Sequence, residues 1–455
     1  MSQISKILLQ GKKQQKQMVR EKLALGYEAE ARIKENEQLL HSLSYTPLKD
    51  LDKKVGNGGD LTFEETLCGM CYLLAATNYP FAVVCQEAFN KACDGIFSEQ
   101  RALASGTAFA KLMADKESFR VLTPEEVAGM AAGGLMDIVI RLNMGRVVET
   151  CGMGADTGFA GNGVTKKTIN ASTLASFVLA SLKLPVIKHG SYSSTSVVGS
   201  TEAIEHLGVR TNMDSAKEAM DIWNDCGFCY FDAHWCKTIH DLSHLLMIET
   251  INHVVGPMSP PITRETEINK LMGVNKKIHP SVVARAYTIL HQRRQQKIGS
   301  VAIVCGLDKN CEQIDPNNFE QVKKHAILDE LSPYVSVVSL AHADRFLGNF
   351  LVRPSDFGIE LIAEKIQVVN EESQIQKANK DALSGENPQL KDFLAMNAAL
   401  GLFVEKYLGL PEAVSVNGLN TGFLQECFKV CSQAILSGKT LRILEKYVKA
   451  SNGMV

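Results

Sequence analysis

Apolar residues recur at helical intervals through the first third of the chain. Within residues 1–47, Ile4, Ile7, Leu8, Ile33, Leu39 and Leu40 alternate with Lys, Gln and Glu. That spacing predicts a charged amphipathic helical extension, a packing or interaction arm rather than a catalytic element. A glycine turn, GNGGD, leads into LTFEETLCGMCYLLAA, where Thr62 with Glu65 three residues on forms a capping box that starts a helix. Thr123 and Glu126 repeat the signal in LTPEEVAGMAAGGLMDIVIRL. Residues 48–145 therefore read as a small all-helical domain, completed by helices near 235–255. The texture changes at Arg146: VVETC reads as a strand, GMGADTGFAGNG as a glycine loop, NASTLASFVLASL as an apolar helix and LPVIKHG as a second strand. Strand, loop, helix, strand is a βαβ unit. With further strands at SVAIVCG (300–306) and YVSVVSL (334–340), residues 146–455 form a larger α/β domain. Its mainly parallel sheet, flanked by helices, should gather ligands at the carboxyl ends of the strands.

Composition changes this picture little. The 455 residues are 45% hydrophobic and 22% charged, with 48 basic and 50 acidic side chains for a net charge of −2. That balance fits a globular protein of two or three domains and gives nucleic acid no basic surface to seek. No apolar run approaches the ~20 residues of a membrane span, and the N-terminus carries no secretory pattern, so a cytoplasmic location is expected. Twelve cysteines include the cluster Cys226, Cys229, Cys236 with His234, whose spacing matches no zinc finger or knuckle. Buried reduced thiols are the expectation.

The candidate chemistry sits at the strand ends. Gly152, Gly154, Asp156 and Gly158 follow a strand, where glycines let the backbone approach a phosphate. Asn170, Ser172 and Thr173 fall at the next helix start, placed either to cap it or to reach a ligand. The loop is neither Walker A nor GxGxxG. Lys188-His189-Gly190 closes the second strand, and Ser191, Ser193, Ser194, Thr195, Ser196, Gly199 and Ser200 follow. A lysine among hydroxyls and glycines suits a dianion: the amine supplies charge and the hydroxyls supply oriented donors.

The span VVETCGMGADTG…TINASTLASFVLASLKLPVIKHGSYSSTSVVGSTEAIEHLGV resembles the signature region of anthranilate phosphoribosyltransferases, members of the nucleoside phosphorylase superfamily. The likeness continues through CGFCYFDAHW, TINHVVGP, INKLMGV, LDELSPY and NAALGLFVEKY and covers about 48–452. It implies a site in the cleft between the two domains that binds phosphoribosyl pyrophosphate with magnesium. Gly152, Gly154 and Asp156 would line the pyrophosphate and ribose. Asn170, Ser172 and Thr173 would meet the phosphates, as would Lys188, with Gly190, Ser191 and Ser196 nearby. Ser172, Asp329 and Glu330 would bind the metal; taken alone, the acidic pair reads as solvated surface charge. Lys188 and Asp156 would carry the catalytic load, and His189 would be a structural or substrate-contact residue. His234 and Glu249 fall in the acceptor region. A homodimer through the helical domain is also implied, with Leu67, Met70, Leu73 and Leu74 offering a face, although core burial explains them equally well.

The departures are specific. The family's second loop glycine is Ala155, and about eight extra residues separate Asp156 from Asn170. Ser191-Tyr192 replaces Asn-Arg, and Val197 replaces a lysine. An insertion at roughly 307–325 precedes the acidic pair. Glu249 stands where an arginine meets the anthranilate carboxylate, and Asp232 replaces a proline. Carboxylates repel anthranilate, so a nitrogenous acceptor offering N–H groups or positive charge is expected. The alternatives are a phosphorylase using free phosphate, which needs no acidic magnesium pair, and a non-catalytic binding or regulatory protein of the same fold.

Overall fold

The computed structural model describes residues 43, 45–76, 90, 98–137, 141–154, 158–159, 166–193, 197–213, 215–236, 239, 250–311, 313–416 and 418–453. Nearly all of the N-terminal arm, residues 1–42 and 44, lies outside them. The chain divides into two compact units, Met1–Leu142 with Ala233–Ile262, and Asn143–Asp232 with Thr263–Val455.

The first unit is helical: Leu48–Gly56, Phe63–Ala75, Glu99–Phe119, Pro124–Asp137, Ala233–Cys236 and Asn252–Met258. Local chemistry sets two of its starts. Thr62 accepts from the Glu65 N–H while Glu65 accepts from the Thr62 N–H, at 3.2 and 2.8 Å, and Thr123 and Glu126 exchange the same bonds at 3.3 and 2.9 Å. Glu126 then reaches inward to the Leu61 N–H (2.8 Å) and to buried Lys116, so its charge is paired rather than orphaned. Close helix contact depends on small residues: a Cβ on Gly69 would lie 2.1 Å from the Phe109 ring. Leu67, Met70, Leu73 and Leu74 are all within this core, at most 2% exposed. The face expected to make a dimer is therefore the interior of the unit.

The second unit is α/β. Its strands among the described residues, in chain order, are β1 (Arg146–Gly152), β2 (Lys166–Lys167), β3 (Val186–Gly190), β4 (Phe228–Asp232), β5 (Glu267–Gly273), β6 (Ile298–Leu307), β7 (Ala326–Leu328), β8 (Val335–His342), β9 (Arg345–Val352), β10 (Val368–Val369), β11 (Val414–Ser415) and β12 (Gly418–Leu419). The main sheet runs β4-β3-β1-β5-β6-β8-β9, with β7 beside β6. The first five of these pair in parallel, and β7, β8 and β9 join antiparallel. The strand at 334–340 thus runs against the parallel direction. Between β6 and β8 the chain makes only the short helix Phe319–His325 and β7, which return it along the same edge instead of crossing the sheet. Helices Ala171–Ser181 and Pro388–Lys406 pack on the central strands, and Pro280–Gln292 packs on β6, β8 and β9. The register sets Gly152 beside Gly273 and Gly190 beside Asp232, so the ends of β1, β3, β4 and β5 share one edge.

Candidate phosphate and metal site

The carboxyl edge of the sheet collects most of the expected residues. Gly152 ends β1, and its missing side chain matters: a Cβ there would meet the Asp329 Oδ2 at 2.2 Å. Gly154 has φ +85, and its N–H donates to the same oxygen at 2.8 Å. The loop is held further by Asn275, which donates to the Gly154 carbonyl (3.0 Å), and by the Gly158 N–H on the Ile327 carbonyl (3.1 Å). Asp156 lies outside the described residues, as do Ser196 and Glu249 and the side chain of His234.

Asp329 and Glu330 reach this edge through the insertion, because β7 doubles back along β6 and delivers Asp329 above Gly152 and Gly273, with the Glu330 carbonyl against Gly306. Both keep some accessible surface, yet they are not solvated surface charges. Burial raises the Asp329 carboxyl above the usual range, and burial followed by the Asp329 charge raises Glu330 well above it. Glu330 accepts from the Thr168 hydroxyl just ahead of the helix Ala171–Ser181. Two desolvated carboxyls, one under the other's charge, suit a hard cation, which takes oxygen ligands.

At that helix start Asn170 occupies the N-cap without capping through its side chain. Instead it exchanges bonds with Asn379 (3.0 and 2.9 Å) and donates to the Val198 carbonyl at 3.3 Å, tying the helix to the serine loop. Thr173 bonds Ser200 at 3.2 Å, whereas the Ser172 hydroxyl has no partner among the described residues. With no side-chain cap from Asn170, the positive dipole end of this helix suits an anion.

Lys188 is 1% exposed, and its ammonium donates to the neighbouring His189 carbonyl at 2.9 Å. Among the described residues it has no carboxylate within ion-pair distance. Burial lowers its pKa, partly offset by Cys151, Glu149 and Asp329. A buried cation with no carboxylate at ion-pair distance is costly unless a ligand supplies a counter-charge. His189 has a structural partner instead. Its Nδ1 meets Glu149 on β1, and Glu149 also binds Lys270 on β5, all three essentially buried. Burial opposes the Glu149 charge, but His189 and Lys270 overcome it and hold the carboxyl at about 2. Glu149 and Lys270 were not expected from the sequence. The signal available was a charged residue inside an apolar strand in VVETC and INKLMGV.

Gly190 admits the serine loop's return, since a Cβ would meet Ser200 at 2.6 Å. The Ser191 carbonyl accepts from the Thr201 N–H. Tyr192 donates to Glu205 at 2.8 Å, and Val197 is exposed. Asp232, expected to face an acceptor, accepts from the Thr201 hydroxyl at 2.7 Å and so has a structural partner on the helix Ser200–Glu205. Of the cysteine cluster, Cys226 and Cys229 belong to the α/β unit and Cys236 to the helical one. Cys226 reaches the Asp225 carboxylate, Cys229 lies 3.9 Å from the Met213 sulfur, and Cys236 faces the Ala233 carbonyl. All three are buried free thiols.

A family profile described as "Glycosyl transferase family, a/b domain" matches residues 144–440, well over half of the chain. The chain belongs to that family. Among its glycosyl transferase relatives, the anthranilate phosphoribosyltransferase of Methanococcus vannielii is 28% identical over 330 residues, 71% of this chain and 85% of that protein. The one from Aeropyrum pernix is 29% identical over 342 residues, covering 73% and 84%. The fold is that of anthranilate phosphoribosyltransferase from Thermus thermophilus, with a TM-score of 0.60 at 20% identity over 88% of this chain and 99% of that one. The Saccharomyces cerevisiae enzyme in complex with PRPP and Mg superposes at 0.59, with 20% identity, covering 86% and 94%. Among the described residues no helix is long and apolar enough to cross a membrane.

Proposed function

We propose that this glycosyl transferase moves the phosphoribosyl group of phosphoribosyl pyrophosphate to a nitrogenous acceptor and releases pyrophosphate. The observation that carries the reading is Lys188: a buried ammonium with no carboxylate partner among the described residues, at the end of β3, on the edge that also holds the glycine loop. Lys188 holds a phosphate and stabilises charge growing on the leaving group. The Ser172 hydroxyl and the first-turn N–H groups of its helix orient the donor. Asp329, Glu330 and Ser172 hold magnesium, a use consistent with the raised pKa values of two adjoining carboxyls. When bound, the ion supplies charge neutralisation for the departing pyrophosphate. Displacement at the anomeric carbon needs no covalent nucleophile, and Asp156 lines the ribose.

Anthranilate is not the acceptor in this reading. Glu249, in place of arginine, adds repulsion and desolvation on the order of several kcal/mol against an anionic aromatic acid. The acceptor is a nitrogen base or amine. The test is pyrophosphate release from phosphoribosyl pyrophosphate and magnesium across a panel of acceptors. Release with nitrogenous bases and none with anthranilate is expected. Ordinary turnover of anthranilate would overturn the acceptor assignment. Phosphate-dependent cleavage of nucleosides without pyrophosphate chemistry would replace the transferase with a phosphorylase. The reading includes a cytoplasmic homodimer on a surface other than the buried Leu67, Met70, Leu73 and Leu74, checked by light scattering at micromolar concentration.

A further inference from the structure

The insertion ahead of the acidic pair carries a second cluster that the transferase chemistry does not use. Asp308 follows β6 directly, Cys311 comes three residues later, and His325 ends the helix Phe319–His325. One ligand-capable atom from each lies within 4.8 Å of the other two. The Asp308 Oδ1 is 3.2 Å from the Cys311 sulfur and 3.1 Å from the His325 Nδ1, with Oδ2 at 3.2 Å from the same nitrogen.

These separations are close to what a metal would impose. Zinc bonds of about 2.3 Å to sulfur and about 2.0–2.1 Å to nitrogen or oxygen give tetrahedral edges of roughly 3.3–3.6 Å. Small shifts of side chains would suffice, and the frame beneath them is firm. The Asp308 N–H donates to the His325 carbonyl at 2.9 Å, and β7 then pairs with β6 through Leu307 and Ala326. Cys311 is buried, while Asp308 and His325 are partly exposed, which leaves a path from solvent. Asp308 accepts from the Asn310 N–H and the Cys311 thiol, a self-contained polar turn.

We propose that Asp308, Cys311 and His325 form a binding site for a divalent ion of the zinc class, which clips together the two ends of the 308–325 segment. A thiolate and an imidazole select a borderline-soft ion over magnesium or calcium, which prefer all-oxygen shells. Three protein ligands leave a fourth position for water. The clip is structural: it closes a loop whose ends are 325 − 308 = 17 positions apart and steadies the strand that delivers Asp329 and Glu330. It does not depend on the transferase reading, since neither donor nor acceptor touches these residues in that reading.

The test uses the full-length protein, stripped with a chelator, kept reduced without added thiol, and titrated with Co(II). One equivalent should produce a thiolate-to-cobalt charge-transfer band with the visible bands of a tetrahedral ion. Zinc should displace it, and a large excess of magnesium should not. Cys311→Ser should remove the charge-transfer band, and His325→Gln should weaken cobalt binding by at least about tenfold. Cys226→Ser should change neither. X-ray absorption of the zinc-loaded unmodified protein needs no variant and should show one sulfur with nitrogen or oxygen neighbours. No band at one equivalent, a band that survives Cys311→Ser in folded protein, or a zinc shell of several sulfurs would each overturn the site.

Discussion

Lys188 and Glu149 are both buried charged residues below the same strand ends, and they are built for opposite purposes. Glu149 is fully partnered by His189 and Lys270, so it belongs to the fold. Removing one member of such a network leaves a buried charge alone, at a cost of about 3–5 kcal/mol. Glu149→Gln should show that loss in urea unfolding at neutral pH. The pH dependence has a definite sign. The folded carboxyl titrates near 2, below its unfolded value of about 4.5, so its contribution is present above pH ~4.5 and fades as pH falls toward 2. The gap between the unmodified protein and Glu149→Gln should therefore narrow on acidification through that window. A gap independent of pH would mean that the network is not charged as described. Lys188 has no such partner among the described residues, and Lys188→Met should leave the protein as stable or more stable by on the order of 1 kcal/mol. The same change should weaken phosphoribosyl pyrophosphate binding by about 2–4 kcal/mol in calorimetry, because the anion then meets no cation. Loss of stability together with loss of binding would make Lys188 a structural residue.

At the scale of elements, the legible parts were those decided within a few residues. The Thr62 and Thr123 helix starts were readable because a capping box closes over three positions. So was the run from β1 through the glycine loop and the helix at Ala171 to β3, because the period of the apolar residues changes with each element. The direction of β8 was not, since it depends on how far the insertion carries the chain before it returns. Glu149 with Lys270 was not legible either. Each sits alone in an apolar strand, and only the β1–β5 register places Glu149 opposite Lys270. The bonds of Asn170 were not legible for the same reason: its partners, Asn379 and Val198, come from distant segments. Two glycines separate packing from function at this scale. Gly69→Ala drives a methyl into the Phe109 ring and should cost about 1–3 kcal/mol of stability, leaving magnesium-dependent donor binding intact in whatever protein folds. Gly152→Ala pushes against the Asp329 carboxylate and should lower donor affinity in magnesium more than it lowers the unfolding midpoint. Equal effects on both readouts in both variants would deny the glycine loop its special place.

For the whole molecule, the partition into a helical unit and an α/β unit bears on where donor binding is felt. Gly152, Gly154, Ser172, Lys188, Asp329 and Glu330 all belong to the α/β unit, as do the Glu149 network and the Asp308 cluster. The helical unit has its own core around Leu67, Met70 and Phe109 and its own buried Lys116–Glu126 pair. A chain with two separately cored units is not expected to unfold in one two-state step. A ligand held by the native state of one unit raises that unit's transition through mass action, by about 2.7 kcal/mol when its concentration is a hundred times the dissociation constant. Scanning calorimetry in magnesium should therefore resolve two transitions, and phosphoribosyl pyrophosphate should raise the one that Glu149→Gln lowers. The transition lowered by Gly69→Ala should stay where it was. Equal upward movement of both would mean that residues of the helical unit also hold the donor, and the assignment of the phosphate site to the strand ends of the α/β unit alone would fall.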